Sequence, residues 1–250
     1  MMENLQHLNK NIKMKTLGIN IDGVVRDFHA QFDKHYRKVF VNNPNHVEMN
    51  QDMTVKDRTE DDWKKLENMI AAKEKELISL PVNSYDLSNH YSFSEKTALD
   101  GETILTPQEA LEEFMYSSYP FQIFGQAEEY VGACDAVNRI QAYGLNNNLY
   151  KTIFISNTKS SAIPATFHFL AKNASRIRGV QFVDEDSDKW DYCDIIIDCV
   201  PEVIQNVPEG KTIIKIEQPF NKWDEVEHSF KSIKDVNPSF IEDLLVGKKK

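Results

Sequence analysis

An α/β fold built on a parallel sheet, with a large insertion after its first strand, is predicted by three features of this sequence. Short apolar runs alternate with helical patterns between residues 127 and 217, and crossover helices are what parallel pairing requires. Each apolar run closes on a polar or acidic residue, as buried strands do where they open into a ligand-bearing loop. The interval 28–126 breaks the alternation and reads as one inserted segment.

Taken in order, Thr16-Leu17-Gly18-Ile19-Asn20-Ile21 is an apolar run ending in Asp22-Gly23, the pattern of a buried strand entering a turn. Four later runs have the same character: Thr152 to Ser156, Gly179 to Val183, Asp194 to Asp198 and Thr212 to Ile216. Between them, Ala127 to Tyr143 carries apolar residues at helical spacing, with Gly144 placed as a stop. Ile163 to Ala174 reads as a second helix, tolerating Pro164 in its first turn. Inside the insertion, Asp57 to Leu80 has a helical stripe, Pro81 to Gly101 is turn-rich, and Thr106-Pro107-Gln108-Glu109 has the form of a helix start. The chain thus divides into an extension (1–15), a core (16–27 and 127–247), a mainly helical inserted cap (28–126) and a basic tail (248–250).

Acids outnumber bases 39 to 29, a net charge of −10, and no basic stripe interrupts them. Direct nucleic-acid binding is therefore not expected. No apolar stretch nears the roughly 18 residues of a membrane helix, and no signal core precedes the first strand. The three cysteines, Cys134, Cys193 and Cys199, lack metal-ligand spacing and suit reduced thiols, which points to the cytoplasm.

Ligands of an open parallel sheet bind beyond the carboxyl ends of its strands. The candidates are therefore Asn20 and Asp22 after the first strand, Ser156 and Asn157 after the second, the segment Asp184 to Lys189 after the third, and Asp198 after the fourth. Hydroxyl, amide, lysine and carboxylate converging there would suit a phosphate and a magnesium ion.

Asn20-Ile21-Asp22-Gly23-Val24-Val25-Arg26-Asp27-Phe28 resembles the first motif of the haloacid dehalogenase superfamily, a strand ending in Asp-x-Asp-Gly. Ile153 to Ser156-Asn157 is similar to its second motif, and Asp188-Lys189 with Asp194 to Asp198-Cys199 to its third and fourth. Their close spacing resembles the 5′(3′)-deoxyribonucleotidase branch and small phage-encoded members. The resemblance covers residues 16–28 and most of 127–217, and implies a three-layer Rossmann-like core with a cap. It implies a nucleophile at position 20, acid/base chemistry at Asp22, phosphate binding by Ser156, Asn157 and Lys189, and a magnesium site at residues 20, 22 and 198. Two residues depart from it. Asn20 is an amide where the family has its nucleophilic aspartate, and an amide is a very poor nucleophile. Cys199 replaces the second acid of the fourth motif, and a thiol suits magnesium badly. No cofactor is expected on this reading, with Mg²⁺ as the alternative.

The function expected is that of a catalytically degenerate scaffold or assembly component, with a protein partner, among which phage structural proteins are one candidate. A magnesium-dependent phosphatase acting on nucleotides and a non-catalytic phosphate or nucleotide binding module are the alternatives. Each candidate also has a simpler reading. Asp22-Gly23 is a plain turn, Ser156 a helix cap, Lys189 a solvated countercharge, and Arg26 a partner for Asp27 or a cap acid. Cys199 reads as a small buried filler. Tyr85, Tyr91, Phe93, Tyr116, Tyr119 and Phe121 read as core of the insertion rather than as a base-stacking platform.

Overall fold

A computed structural model describes residues 14–41, 82, 84–93, 96–97, 103–159 and 161–246. The expected helix Asp57 to Leu80, the extension up to residue 13 and the Lys248 to Lys250 tail lie outside them. The strands are β1 Lys15–Asn20, β2 Lys96–Thr97, β3 Ile104–Leu105, β4 Tyr150–Ser156, β5 Gly179–Phe182, β6 Ile195–Asp198, β7 Thr212–Ile216 and β8 Ser229–Phe230. Six of them form one parallel sheet in the order β5-β4-β1-β6-β7-β8, while β2 and β3 pair as a short antiparallel hairpin. The predicted three-layer α/β architecture is the one observed.

Side chains leave these strands alternately, as the pleat requires. Leu17, Ile19, Ile195, Ile197 and Ile214 join a core with Ala133, Val137 and Ile140 of the helix Ala133–Asn146 and Ile241 of the helix Pro238–Val246. Ile155, Ile196 and Ile213 face the other side, against Trp190, Val200, Val203 and Ile204. Burying both faces explains why the strands read as continuous apolar runs.

The expected helix Ile163 to Ala174 is observed at Ala162–Lys172, and both ends of the preceding helix differ more from the sequence reading. Residues 127–132 are not helical, because Gly132 turns the chain with a left-handed φ of 75° before the helix begins at Ala133. Gly144 does not stop that helix, which runs to Asn146. Its lack of a side chain makes room for the Tyr150 ring, on which any Cβ would fall. Close approach, rather than helix termination, is what this glycine serves. The predicted start at Thr106 is present as a capping box, with the Thr106 hydroxyl and the Glu109 carboxylate bonding reciprocally.

The described part of residues 28–126 gathers an aromatic cluster of its own. Phe32, Tyr36, Tyr91, Phe114 and Phe124 pack together, and Ala162 and Ala165 join them from the helix Ala162–Lys172. Of the six aromatics expected there as core, Tyr91 is buried and Phe93, Tyr116 and Tyr119 are partly buried against the cluster. Tyr85 and Phe121 depart from that expectation, at 37% and 43% exposed. Tyr85 instead serves the strand ends, described below.

His35 sits in this cluster, 4.6 Å from the Tyr119 ring and 5.7 Å from that of Phe114, with Nε2 buried and without a hydrogen-bond partner among the described residues. Burial and then the charge of Lys38 lower its pKa from 6.5. A base held neutral in the fold contributes stability that is present above the unfolded pKa and lost as pH falls below it. The denaturation midpoint should therefore drop on acidification below 6.5, and less so in His35→Leu. Parallel pH profiles for the two proteins would remove His35 from the account.

Candidate functional site

Parallel register brings the candidate residues to one level. Ile19 lies opposite Ile197 across the β1–β6 pair, so the next residues, Asn20 and Asp198, meet at the strand ends. The Asn20 amide donates from Nδ2 to Asp198 Oδ1 at 2.7 Å and to the Asp22 carbonyl at 3.0 Å. Asp198 Oδ1 also accepts the backbone N–H groups of Cys199 and Val200, at 2.7 and 3.0 Å. Its other oxygen, Oδ2, accepts from Lys189 Nζ at 2.9 Å. The carboxylate that closes an apolar strand thus has its partner, as burial demands.

Lys189 is fully buried, contrary to the reading of a solvated countercharge. Its ammonium lies between Asp198 and Asp186, whose Oδ1 is 2.6 Å away. Burial acts against the charge of Lys189, but the two carboxylates outweigh it and raise its pKa. Asp186 in turn accepts from Asn157 Nδ2 at 2.8 Å and from the Tyr85 hydroxyl at 3.0 Å. Tyr85 therefore reaches from residues 84–93 onto the strand ends, with its ring tilted against Phe220 at 5.6 Å.

Asp22 is held differently. Arg26 forms a two-pronged pair with it, Nε to Oδ1 at 2.6 Å and Nη2 to Oδ2 at 2.8 Å. The guanidinium is fully buried, 4.9 Å from the Phe124 ring and 5.2 Å from that of Phe169. Its Nη1 donates to the Phe124 carbonyl and to the Thr166 hydroxyl, at 3.1 and 3.0 Å. Among the described residues Arg26 thus pairs with Asp22, not with Asp27 or an acid of the inserted segment, and planar bidentate geometry makes this the strongest class of ion pair.

Ser156 is buried beneath the same level, with Oγ 2.8 Å from Thr158 Oγ1 while accepting the Thr158 N–H at 3.1 Å. Its hydroxyl closes a local turn rather than capping the following helix. Thr158 also lies 3.5 Å from Asp22 Oδ2. Cys199 has the packing role read from the sequence. Its Sγ lies against Gly23, whose left-handed φ of 76° and missing side chain allow the approach, and 3.4 Å from the Asp22 carbonyl. Burial and then the charge of Asp198 push its thiol well above the ordinary range, so it is not a thiolate. Buried Asn221 ties the neighbouring loops together, donating to the carbonyls of Cys199 and Ile216 at 2.7 and 2.9 Å. Gln218 donates to the Gly23 carbonyl at 2.7 Å.

Asn20, Asp22, Ser156, Asn157, Asp186, Lys189 and Asp198 therefore converge at the strand ends, whereas Asp184 and Glu185 of the candidate segment are exposed and Asp188 accepts the Glu185 N–H instead. Tyr85, Arg26, Thr158, Gln218 and Asn221 complete the site and were not assigned to it from sequence, and within the candidate segment 184–189 it is Asp186 that faces Lys189. The i, i+4 spacing of Asp22 and Arg26 was the one signal available for the Arg26 pair. Asn20, Ser156, Asp186, Lys189 and Asp198 are each no more than 6% exposed, while the Asp22 side chain is 20% exposed, so the centre is closed everywhere but at Asp22.

No protein-family model matches the chain, and no curated protein does. Among solved structures, it is similar to a haloacid dehalogenase-like family hydrolase from Xanthomonas campestris, at 10% identity over 94% of this chain and 97% of that one, with a TM-score of 0.46. It is similar also to CbbY from Rhodobacter sphaeroides, solved with phosphate, at 10% identity, 89% and 96% coverage and a TM-score of 0.47. The magnesium-bound HAD-hydrolase YfnB from Bacillus subtilis matches at 12% identity, 93% and 99% coverage and a TM-score of 0.45. The first and third of these are described as haloacid dehalogenase-like or HAD hydrolases, and the functional reading of this chain rests on its own strand-end geometry.

Proposed function

We propose that this chain is a haloacid dehalogenase-like protein without phosphatase turnover, whose strand-end centre is structural and which serves as a scaffold for a protein partner. The observation that carries this reading is the Asn20 amide at the nucleophile position, spending its N–H groups on Asp198 and the Asp22 carbonyl. A carboxylate there could attack phosphorus; a neutral carboxamide is a very poor substitute. The sealing of Lys189 and Ser156, both fully buried, supports the same reading, since a phosphate would have to displace their present partners.

A magnesium-dependent phosphatase acting on nucleotides is the second reading, favoured by the placement of Lys189 beside Asp198 at the strand ends. Phosphate release separates the two. With Mg²⁺, purified protein should release none from p-nitrophenyl phosphate or deoxynucleoside monophosphates above the level of an Asn20→Ala control, because losing a nucleophile costs several powers of ten in rate. Turnover near one per second (about 17 kcal/mol of barrier) that Asn20→Ala abolishes would establish the second reading instead. The scaffold role is tested separately, by whether the chain co-sediments with a native assembly at fixed stoichiometry.

A further inference from the structure

A divalent cation at the strand ends needs carboxylate oxygens free to face it, because magnesium takes hard, anionic oxygen in strict octahedral geometry. The residues present do not offer them. Both oxygens of Asp22 are taken by Arg26, at 2.6 and 2.8 Å. Asp198 Oδ1 accepts three N–H groups and Oδ2 faces Lys189. Asn20 turns an N–H donor, not an oxygen, toward Asp198. Cys199 is packed under Gly23. Two buried cations, Arg26 and Lys189, meanwhile face three carboxylates, those of Asp22, Asp186 and Asp198.

We propose that Arg26 and Lys189 supply the positive charge that would otherwise come from a bound metal ion, so that the strand-end centre is a metal-independent ion network. Arg26 is the positioning residue in this scheme. It crosses from the turn after β1 to the Phe124 carbonyl and Thr166, and so binds Asp22 to both the inserted segment and the helix Ala162–Lys172. The i, i+4 pair closes the turn, in which the Val25 and Arg26 N–H groups also bond the Ile21 carbonyl at 2.9 and 2.8 Å. The proposal rests on the reading of a silent centre, but it concerns metal and stability rather than turnover.

The test uses the full chain and two readouts, thermal unfolding and Mn²⁺ titration followed by electron paramagnetic resonance. Wild-type protein should melt at the same temperature in Mg²⁺ as in EDTA and should bind no Mn²⁺. A rise in melting temperature with Mg²⁺, or one tightly bound Mn²⁺ per chain, would overturn the proposal, since a ligand that binds the folded state must stabilise it. Arg26→Gln should lower the melting temperature by several degrees, and Mg²⁺ should recover part of that loss through the freed Asp22 carboxylate. Arg26→Lys, which keeps the charge but not the fork, should also melt lower yet show no recovery with Mg²⁺. Arg26→Gln melting like wild type, or melting low with no response to Mg²⁺, would contradict the role given to Arg26. Should Arg26→Gln not fold, the Mn²⁺ titration of wild type decides alone. Metal-independent phosphate release would sink the silent-centre reading and spare this one, whereas metal binding without turnover would do the reverse.

Discussion

Lys189→Met should be among the most destabilising single substitutions in this chain. The lysine is fully buried between Asp198 Oδ2 at 2.9 Å and Asp186 Oδ1 at 2.6 Å. Removing it leaves two carboxylates facing each other without a cation, and breaking a buried pair from one side costs about 3–5 kcal/mol. Against a total stability on the order of 5–15 kcal/mol, such a loss brings the chain close to unfolding at ambient temperature. The sign with pH follows from the carboxylates. Burial already holds the Asp198 carboxyl above its ordinary value, and losing the Lys189 charge raises it further, so the deficit is full at neutral pH and shrinks as Asp198 takes up a proton on acidification. Urea unfolding of both proteins across pH checks this. A midpoint unchanged by the substitution at neutral pH would mean that Lys189 contributes nothing net to the centre.

Asn20→Asp is the second substitution with a large expected effect, and it places a carboxylate where the resembled motif carries its nucleophile. Here it replaces a donor to Asp198 Oδ1, at 2.7 Å, with a second carboxylate in a site that is 2% exposed. Like charges at that distance disfavour joint ionisation, so the new group's pKa should rise above the roughly 4 of a free aspartate. A carboxyl whose folded pKa is raised contributes stability below its unfolded pKa and loses it as pH rises through the folded one. The variant should thus approach wild type in acid and fall behind at neutral pH, by about 3–5 kcal/mol for an unpaired buried charge. Phosphate release should stay absent, because Arg26 still engages Asp22 and Cys199 still fills the space under Gly23. A variant as stable as wild type at neutral pH that also turns over would show that the centre is one residue away from activity, contrary to the network described here.

The contrast between Asn20 and Arg26 marks what was legible in the sequence. The apolar runs that became β1, β4, β6 and β7 were readable because both faces of each strand are largely buried, whereas the edge strand β5 is half-buried along its length. Their closing residues followed, since a strand's last position fixes which end of the sheet a side chain occupies. Strand β8 spans only Ser229–Phe230 and is too short to carry a period, and the helix Pro238–Val246 went unread. Gly144 misled because a glycine's usual service to a helix is at its end, whereas here it answers a tyrosine from the next strand. The long-range partners of Arg26 could not be read at all. Its bonds to Phe124 and Thr166 span 98 and 140 residues, and only the folded chain brings those segments to one place. Lys189 went the same way: within its acidic neighbourhood, nothing local distinguishes a solvated lysine from one enclosed by Asp186 and Asp198.

The proposed silence of the centre is tested most directly by looking for phosphoryl transfer to the protein itself. Wild-type chain would be mixed with excess p-nitrophenyl phosphate and Mg²⁺, quenched in acid on a short time scale, and examined by intact and peptide mass spectrometry. An acyl-phosphate needs a free carboxylate to form, and the carboxylates at the strand ends are held by Arg26 and Lys189. The mass should therefore remain that of the unmodified chain at every quench time. A phosphate adduct on the peptide that contains Asn20 and Asp22 would contradict the structural reading of this centre.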